Sequence, residues 1–332
     1  MAEKKENFLQ RLWRSFFVDT LQKKFDRYKG WIYLAPAIIL LLIFTVWPIF
    51  NTVRMSFLEG YTTMKDVRGD TFAFGLGNFT RVLKYNGFLT ALKNTMLLTV
   101  LTVPISTFLA LLIAVCLNSI KWFSRALQTI FFLPYVTNSI AIGMVFAAMF
   151  NMILGGGGVD NPDFMGVINI VIEAFGGTKI NWMNEGASYW AQITVMVVYI
   201  VWNALPFKIL ILLGGLQSVN KQYYEAAKVD ATPRWRVFTR ITIPLLSPML
   251  AYVIITGFIG GFKEYSSIVG VFGESMRAPG DPSYTLDTMV GFIYRAISNQ
   301  EGTASAAALI LFAIILVVTM INLYVSKKKT HY

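Results

Sequence analysis

Six stretches of this chain are apolar for long enough to cross a lipid bilayer, and no other feature narrows its fold as much. They cover about residues 31–54, 92–118, 124–153, 188–214, 244–271 and 304–326. A helix needs about 20 apolar residues to cross a hydrocarbon core of about 30 Å. At that depth no water satisfies the backbone, so each stretch is expected to be helical. The predicted fold is an all-α membrane protein with six transmembrane helices. Composition agrees, since 55% hydrophobic against 14% charged residues is too little charge to cover a soluble surface.

Loop charge orients these spans. The N-terminal tail, the turn at 119–125, the loop at 216–243 and the C-terminal tail carry 18 of the 29 Lys and Arg residues. The stretches 56–90, 154–187 and 272–303 are poor in them. Basic loops stay inside, which places both termini and the 216–243 loop in the cytoplasm. The formal net charge of +11 is explained by the same bias and calls for no nucleic acid. The basic segment 1–30, with Phe8, Leu12 and Phe16 at helical spacing, reads as an amphipathic helix on the inner membrane face or a partly ordered tail. Residues 31–326 make the membrane-spanning body, and 327–332 a basic tail. The run 31–50 is long enough to span, so 1–50 is not expected to be a cleaved signal.

Several chemistries are excluded by absence. Cys116 is the single cysteine and His331 the single histidine, so no disulfide framework, thiolate metal site, zinc-protease motif or Ser-His triad can be built. Four glycines at 155–158 suggest a phosphate loop, but no Lys-Ser or Lys-Thr follows them, and a turn is the better reading. Among the outer stretches, Gly75, Gly77 and Asn78 are turn formers ahead of a short helix near 79–85. Residues 168–175 read as a short interfacial helix, followed by Trp182 and Trp190 at aromatic-belt positions.

The 216–243 loop is too long for a simple membrane hairpin. It reads as a helix over Lys221–Val229, a turn, and a second helix with Thr232 as N-cap and Pro233 at its first position. Trp235, Phe238 and Ile241 give the second helix one apolar face, while Arg234, Arg236 and Arg240 point elsewhere. Ala226 and Ala227 are small enough to let a partner surface approach the backbone, and Glu225 beside them offers a carboxylate. An amphipathic connector lying on headgroups explains the same pattern.

Glu225-Ala226-Ala227, the acidic Asp230, and the Ile241-Thr242-Ile243-Pro244 approach to the next span resemble the EAA loop of binding-protein-dependent ABC importer permeases. Leu133-Pro134-Tyr135, the stretch from Trp202 to Pro206, and Gly261-Phe262-Lys263-Glu264-Tyr265 resemble the carbohydrate-uptake, maltose-type branch. The resemblance implies that Glu225, Ala226, Ala227, Asp230, Ala231, Arg234 and Phe238 couple the spans to a separate ATPase. Ala231 departs from the family pattern, which usually has Gly there, a residue suited to left-handed backbone.

Glu264 and Lys263 fall within the fifth apolar stretch and Lys208 within the fourth. Ionisable groups at membrane depth mark a cavity or pathway unless they pair internally, and Lys208 can also snorkel. Sugars need aromatic faces and planar polar groups. Tyr135, Asn138 and Ser139 on the third stretch, Trp202, Asn203 and Phe207 on the fourth, and Gly261, Phe262 and Glu264 on the fifth supply them. By resemblance, Ala204 and Gly260 also fall near the substrate cavity.

The expected function is the permease subunit of an ATP-driven importer for a sugar, an oligosaccharide, in a bacterial or archaeal cytoplasmic membrane. The expected partners are a second permease, two ATPase subunits, an extracellular sugar-binding protein, the sugar and the bilayer. No Walker A sequence occurs, so no cofactor is assigned to this chain, and ATP and Mg belong to the ATPase subunits. A secondary transporter is the competing reading, but such folds carry repeated halves, which are not visible here. An intramembrane enzyme lacks a nucleophile, base and metal ligands at workable spacings. A scaffold requires Glu264 and its aromatic neighbours all to be packing.

Overall fold

The computed structural model describes residues 19–120, 124–150, 166–277 and 284–329, all helix and connecting loop apart from one isolated β-bridge between Leu58 and Phe74. Phe8, Leu12 and Phe16, the glycine run at 155–158 and the last residues of the tail lie outside this range. The chain divides into two units, residues 1–55 and 56–332. The first contains α1 (Asp19–Leu41), a π-helical turn (Leu42–Val46) and most of α2 (Trp47–Phe57). Tyr28–Phe57 is long and apolar enough to cross a membrane. The π turn ends beside Pro48, which has no N–H for the carbonyl one turn back, and widening the helix there is a known accommodation.

The second unit holds the remaining helices. After α3 (Thr63–Val67) and α4 (Gly77–Lys84) come the long α5 (Asn86–Ser119), then α6 (Ser124–Val136) and α7 (Ser139–Phe150). They are followed by α8 (Val167–Ala174), α9 (Tyr189–Ser218), α10 (Lys221–Val229) and α11 (Arg234–Val237). A second π turn (Phe238–Thr242) leads into α12 (Ile243–Gly261), then α13 (Ser266–Phe272), α14 (Met289–Ile297) and α15 (Glu301–Lys329). Among the described residues five helices are long and apolar enough to span, and six when the bent pair α6–α7 is counted as one.

Two apolar stretches are not the single helices that hydropathy suggests. The third, expected over 124–153, bends by 100° between α6 and α7. Its reason is local: Asn138 Oδ1 accepts the N–H groups of Ile140 (2.8 Å) and Ala141 (3.4 Å), starting a new helix just after Pro134 and Tyr135. The fifth, expected over 244–271, ends as a helix at Gly261, and Phe262–Tyr265 separates it from α13. At its other end it begins early, because α11, the π turn and α12 form one helix over Arg234–Gly261.

α5 and α9 form the centre of the second unit. Their starts meet where Tyr189 Oη donates to Asn94 Oδ1 (2.7 Å), and their ends meet near Asn118 and Leu216. Close packing comes from small polar residues: Thr95, Thr99 and Thr107 are buried and each donates its hydroxyl to the carbonyl four residues back, at 2.7–2.8 Å. α7 and α13 cross backbone to backbone at Gly143 and Gly270. A Cβ on Gly143 would lie 2.7 Å from the Gly270 Cα, so the crossing admits only glycine.

Candidate functional site

A cavity of about 360 Å³ opens between α5, α6, α9 and α12. Both interrupted stretches border it. Tyr135 stands one turn before the α6–α7 bend, and Glu264 lies in the break after α12. The Tyr135 and Phe207 rings stack at 6.0 Å with 18° between their planes, which makes an aromatic wall. Asn203 and Ala204 continue it along α9, and Gly257, Gly260 and Gly261 give α12 a side-chain-free floor. A Cβ on Gly260 would meet nothing within 4 Å, whereas one on Gly261 would strike Thr99 at 2.8 Å.

The two charged groups in the wall differ. Lys208 is 4% exposed and does not snorkel: its Nζ donates to Ser106 Oγ (2.6 Å), Thr107 Oγ1 (2.9 Å) and the Val103 carbonyl (3.2 Å). All three ammonium donors are therefore spent on α5. Glu264 is half-buried, and its Oε1 accepts the Ser267 N–H at 3.2 Å. Among the described residues no Lys or Arg pairs with it, so neither Lys208 nor Lys263 neutralises it.

The remaining pathway candidates lie outside the cavity lining. Phe262 is 2% exposed and packs with Val82, Phe88 and Phe292, because the helix break turns it into the core rather than toward the cavity. Trp202 packs against Phe146, centroids 5.2 Å apart. Asn138 is used as the cap of α7, and Ser139 offers its carbonyl to Tyr199 Oη. Lining residues that sequence reasoning missed are Thr102, Val103, Ser106, Ile200, Thr256 and Gly257. The hydroxyl residues among them carried a signal, since such residues inside an apolar span satisfy themselves on the backbone and still offer a polar surface, whereas Val103, Ile200 and Gly257 carried none.

The second candidate region is the Asn220–Thr242 loop. Asn220 caps α10 by accepting the Gln222 N–H (3.0 Å). The helix ends in a Schellman motif: Thr232 N–H reaches the Ala227 carbonyl (2.9 Å) and Ala231 N–H the Lys228 carbonyl (3.1 Å). Ala231 has φ +48, so the left-handed position is kept although its residue is not glycine. Asp230 is the C-cap, and Pro233, not Thr232, is the N-cap of α11, since Thr232 is consumed by the Schellman bond. Tyr224 Oη and Thr242 Oγ1, 3.3 Å apart, tie α10 to the foot of the long helix.

Glu225 and Ala226 are exposed, while Ala227 is buried against its own chain, so only the first of the two alanines faces outward. Ala227, Ala231, Arg234 and Phe238 border a cleft of about 570 Å³ behind the loop. Trp235 is 74% exposed and leans on Phe238 at 5.8 Å.

Residues 73–331 match the family described as the binding-protein-dependent transport system inner membrane component. The chain belongs to that family. The permease is 30% identical over 304 residues to the lactose transport system permease protein LacF of Rhizobium radiobacter, covering 90% of this chain and 93% of that one. It is also 30% identical over 317 residues to the arabinooligosaccharides transport system permease protein AraP of Bacillus subtilis (strain 168), with coverages of 95% and 91%. Its fold matches that of a chain from a bacterial ABC transporter involved in the import of the acidic polysaccharide alginate, at a TM-score of 0.73 and 22% identity, over 94% of this chain and 100% of that one. The permease is thus a multi-pass membrane subunit of a binding-protein-dependent ABC importer.

Proposed function

We propose that this permease forms half of the translocation pathway of an ATP-driven importer for a sugar, an oligosaccharide, in the cytoplasmic membrane. The observation that carries the reading is the make-up of the cavity: a stacked aromatic pair, an amide and an uncompensated carboxylate around a glycine floor. An aromatic face suits the C–H surface of a pyranose or furanose, and a carboxylate accepts hydroxyl protons. Tyr135, Phe207, Asn203 and Glu264 are the contacts we assign, with Gly260 and Gly261 giving the sugar room. Lys208 joins α9 to α5 and offers no donor to the ligand, so neutral hydroxyls fit this cavity better than acid groups. The relatives named for lactose and arabinooligosaccharides support a sugar.

The Asn220–Thr242 loop is assigned to docking on a separate ATPase subunit, which holds ATP and Mg. Glu225, Ala226 and Trp235 present the docking surface, with Asp230, Ala231, Arg234 and Phe238 shaping the turn behind it. Because α11, the π turn and α12 are one helix, a displacement of the loop is delivered to the cavity floor without an intervening joint. Alternating access then exposes the cavity to each side in turn. A second permease supplies the other half, two ATPase subunits drive it, and an extracellular binding protein delivers the sugar.

The test is ATPase activity of the complete complex in nanodiscs, for the wild type and Glu225→Lys. Stimulation of the wild type by sugar-loaded binding protein, and its loss in a variant that still assembles, is the expected result. Equal stimulation of the variant, or uptake without nucleotide, overturns the reading.

A further inference from the structure

At the end of the second unit opposite the Asn220–Thr242 loop lies a smaller pocket of about 240 Å³, with no role in the cavity described above. Arg81 of α4, Arg295 of α14, and Asn299, Gln300 and Thr303 at the start of α15 surround it, over a floor of Tyr85 and Phe292. Every polar side chain in this wall can donate a hydrogen bond, and no carboxylate lines it. Glu301 does not line it: its Oε1 accepts the Thr63 N–H at 3.2 Å, and its Oε2 is buried without a partner.

Two of the lining groups are incomplete. Thr303 is 4% exposed, and its buried Oγ1 has no hydrogen-bond partner. Arg295 is held from one side by the buried carboxylate of Asp287 and lies over the Tyr284 ring at 3.5 Å, yet its Nη1 is buried and unpartnered. A buried polar group without a partner costs about 1–3 kcal/mol, and two beside one pocket mark a place that an incoming acceptor would complete. Two guanidinium groups, beside amide and hydroxyl groups that can also donate, fit a carboxylate, which takes paired N–H donors on its two oxygens. The volume suits one side chain better than an oligosaccharide.

We propose that this pocket receives an acidic side chain of the binding protein on which this family of permeases depends. The occupant follows from placement and charge. The pocket lies at the start of α5, on the side that the basic-loop bias assigns to the exterior, and it presents two arginines in stretches otherwise poor in basic residues. The inference rests on the importer reading for its occupant, the binding protein, while the sidedness comes from the basic-loop bias.

The experiment measures the affinity of the binding protein for the complete complex in nanodiscs, across salt concentrations. Arg81 is exposed, so Arg81→Glu leaves the fold intact, and Thr303→Val keeps the shape of the buried side chain while removing its hydroxyl. Arg81→Glu is expected to weaken binding at least tenfold with a flatter salt dependence, and Thr303→Val about threefold, both with unchanged basal ATPase activity. Binding by both variants within twofold of wild type overturns the proposal and leaves the Glu225 result untouched. An Arg81→Glu defect that vanishes in nanodiscs lacking anionic lipid overturns it too, since the occupant is then a headgroup. If even the wild-type complex does not bind the binding protein, the pocket proposal and the importer reading fall together.

Discussion

The two ends of the helical unit are held together by opposite means. At the loop end, structure is local: the Asn220 cap, the Schellman bonds around Ala231 and the Tyr224–Thr242 pair all lie within 23 residues of chain. Its apolar residues are left outside, Val229 at 87% and Trp235 at 74% exposure. At the other end, buried polar groups join distant parts of the sequence. Asn94 Nδ2 donates to the carbonyls of Thr285 (2.9 Å) and Asp287 (2.8 Å), more than 190 residues away, and Oδ1 holds Tyr189. Thr95 Oγ1 accepts the Met289 N–H at 3.0 Å, and Thr288 Oγ1 donates to the Glu264 carbonyl at 2.8 Å. One end is a self-contained module presenting a surface. The other is a clasp that fixes the helix starts and, through Thr288, the carboxylate-bearing break beside the cavity.

Breaking the clasp gives the largest effect. Asn94→Leu removes the donors to the Thr285 and Asp287 carbonyls and the acceptor of the Tyr189 hydroxyl, three hydrogen bonds whose loss costs about 3 kcal/mol. Thermal unfolding of the purified complex is expected to show a clear loss of stability. A variant as stable as wild type would mean that the clasp is decorative and that the two ends do not differ as argued.

The clasp also carries a pH dependence. Burial pushes the Asp287 carboxyl from an ordinary 3.8 up to about 6, against the opposing pull of Arg295. A raised carboxyl pKa favours the neutral form in the fold, so this group's stabilisation is fully present below about pH 3.8 and is lost as pH rises through about 6. The whole difference amounts to about 3 kcal/mol. Wild-type protein is therefore expected to melt higher at pH 5 than at pH 7.5, and Asp287→Asn to flatten that slope. An unchanged slope in the variant removes Asp287 from the account.

What the sequence made legible follows the same division. The loop could be read because its determinants are contiguous: Glu225 to Pro244 resembles the family pattern almost continuously, Ala231 being the departure, and caps and turns act over a few residues. Six apolar stretches were enough to place the helices, since bilayer thickness sets their length. The breaks were not legible, because hydropathy records no difference between a straight span and one interrupted at Asn138 or at Phe262. That is why Phe262 is expected in the pathway and lies in the core, and why the alternatives left open for Lys208, snorkelling among them, did not include the clip between α9 and α5 that it forms. The clasp was invisible for a related reason: Asn94 and Asp287 lie 193 residues apart in the chain and become partners only once it has folded.

A smaller effect tests the loop itself. Tyr224→Phe removes the bond to Thr242 at a partly exposed site, where a single neutral hydrogen bond contributes about 1 kcal/mol. The melting temperature of the complex should barely move, while hydrogen exchange across Lys221–Val229 should quicken, because only the module loosens. A global destabilisation equal to that of Asn94→Leu would show that the loop is part of the clasp's cooperative unit and abolish the distinction.

The smallest expected change runs in the opposite direction. Ala231 sits at φ +48, where an L side chain costs about 1–2 kcal/mol relative to the right-handed region. Glycine removes that cost but gives the unfolded chain extra freedom worth about 0.4–1 kcal/mol, so Ala231→Gly is stabilising by about 0.5–1 kcal/mol. In a local module the gain stays local: the Ala231 and Thr232 amides, which make the Schellman bonds, are expected to exchange a few-fold more slowly, with no shift at the Met289 amide of the clasp. Faster exchange at Ala231 would mean that the side chain, not the backbone angle, sets the turn, and that alanine at this position stabilises the loop through the cleft it borders.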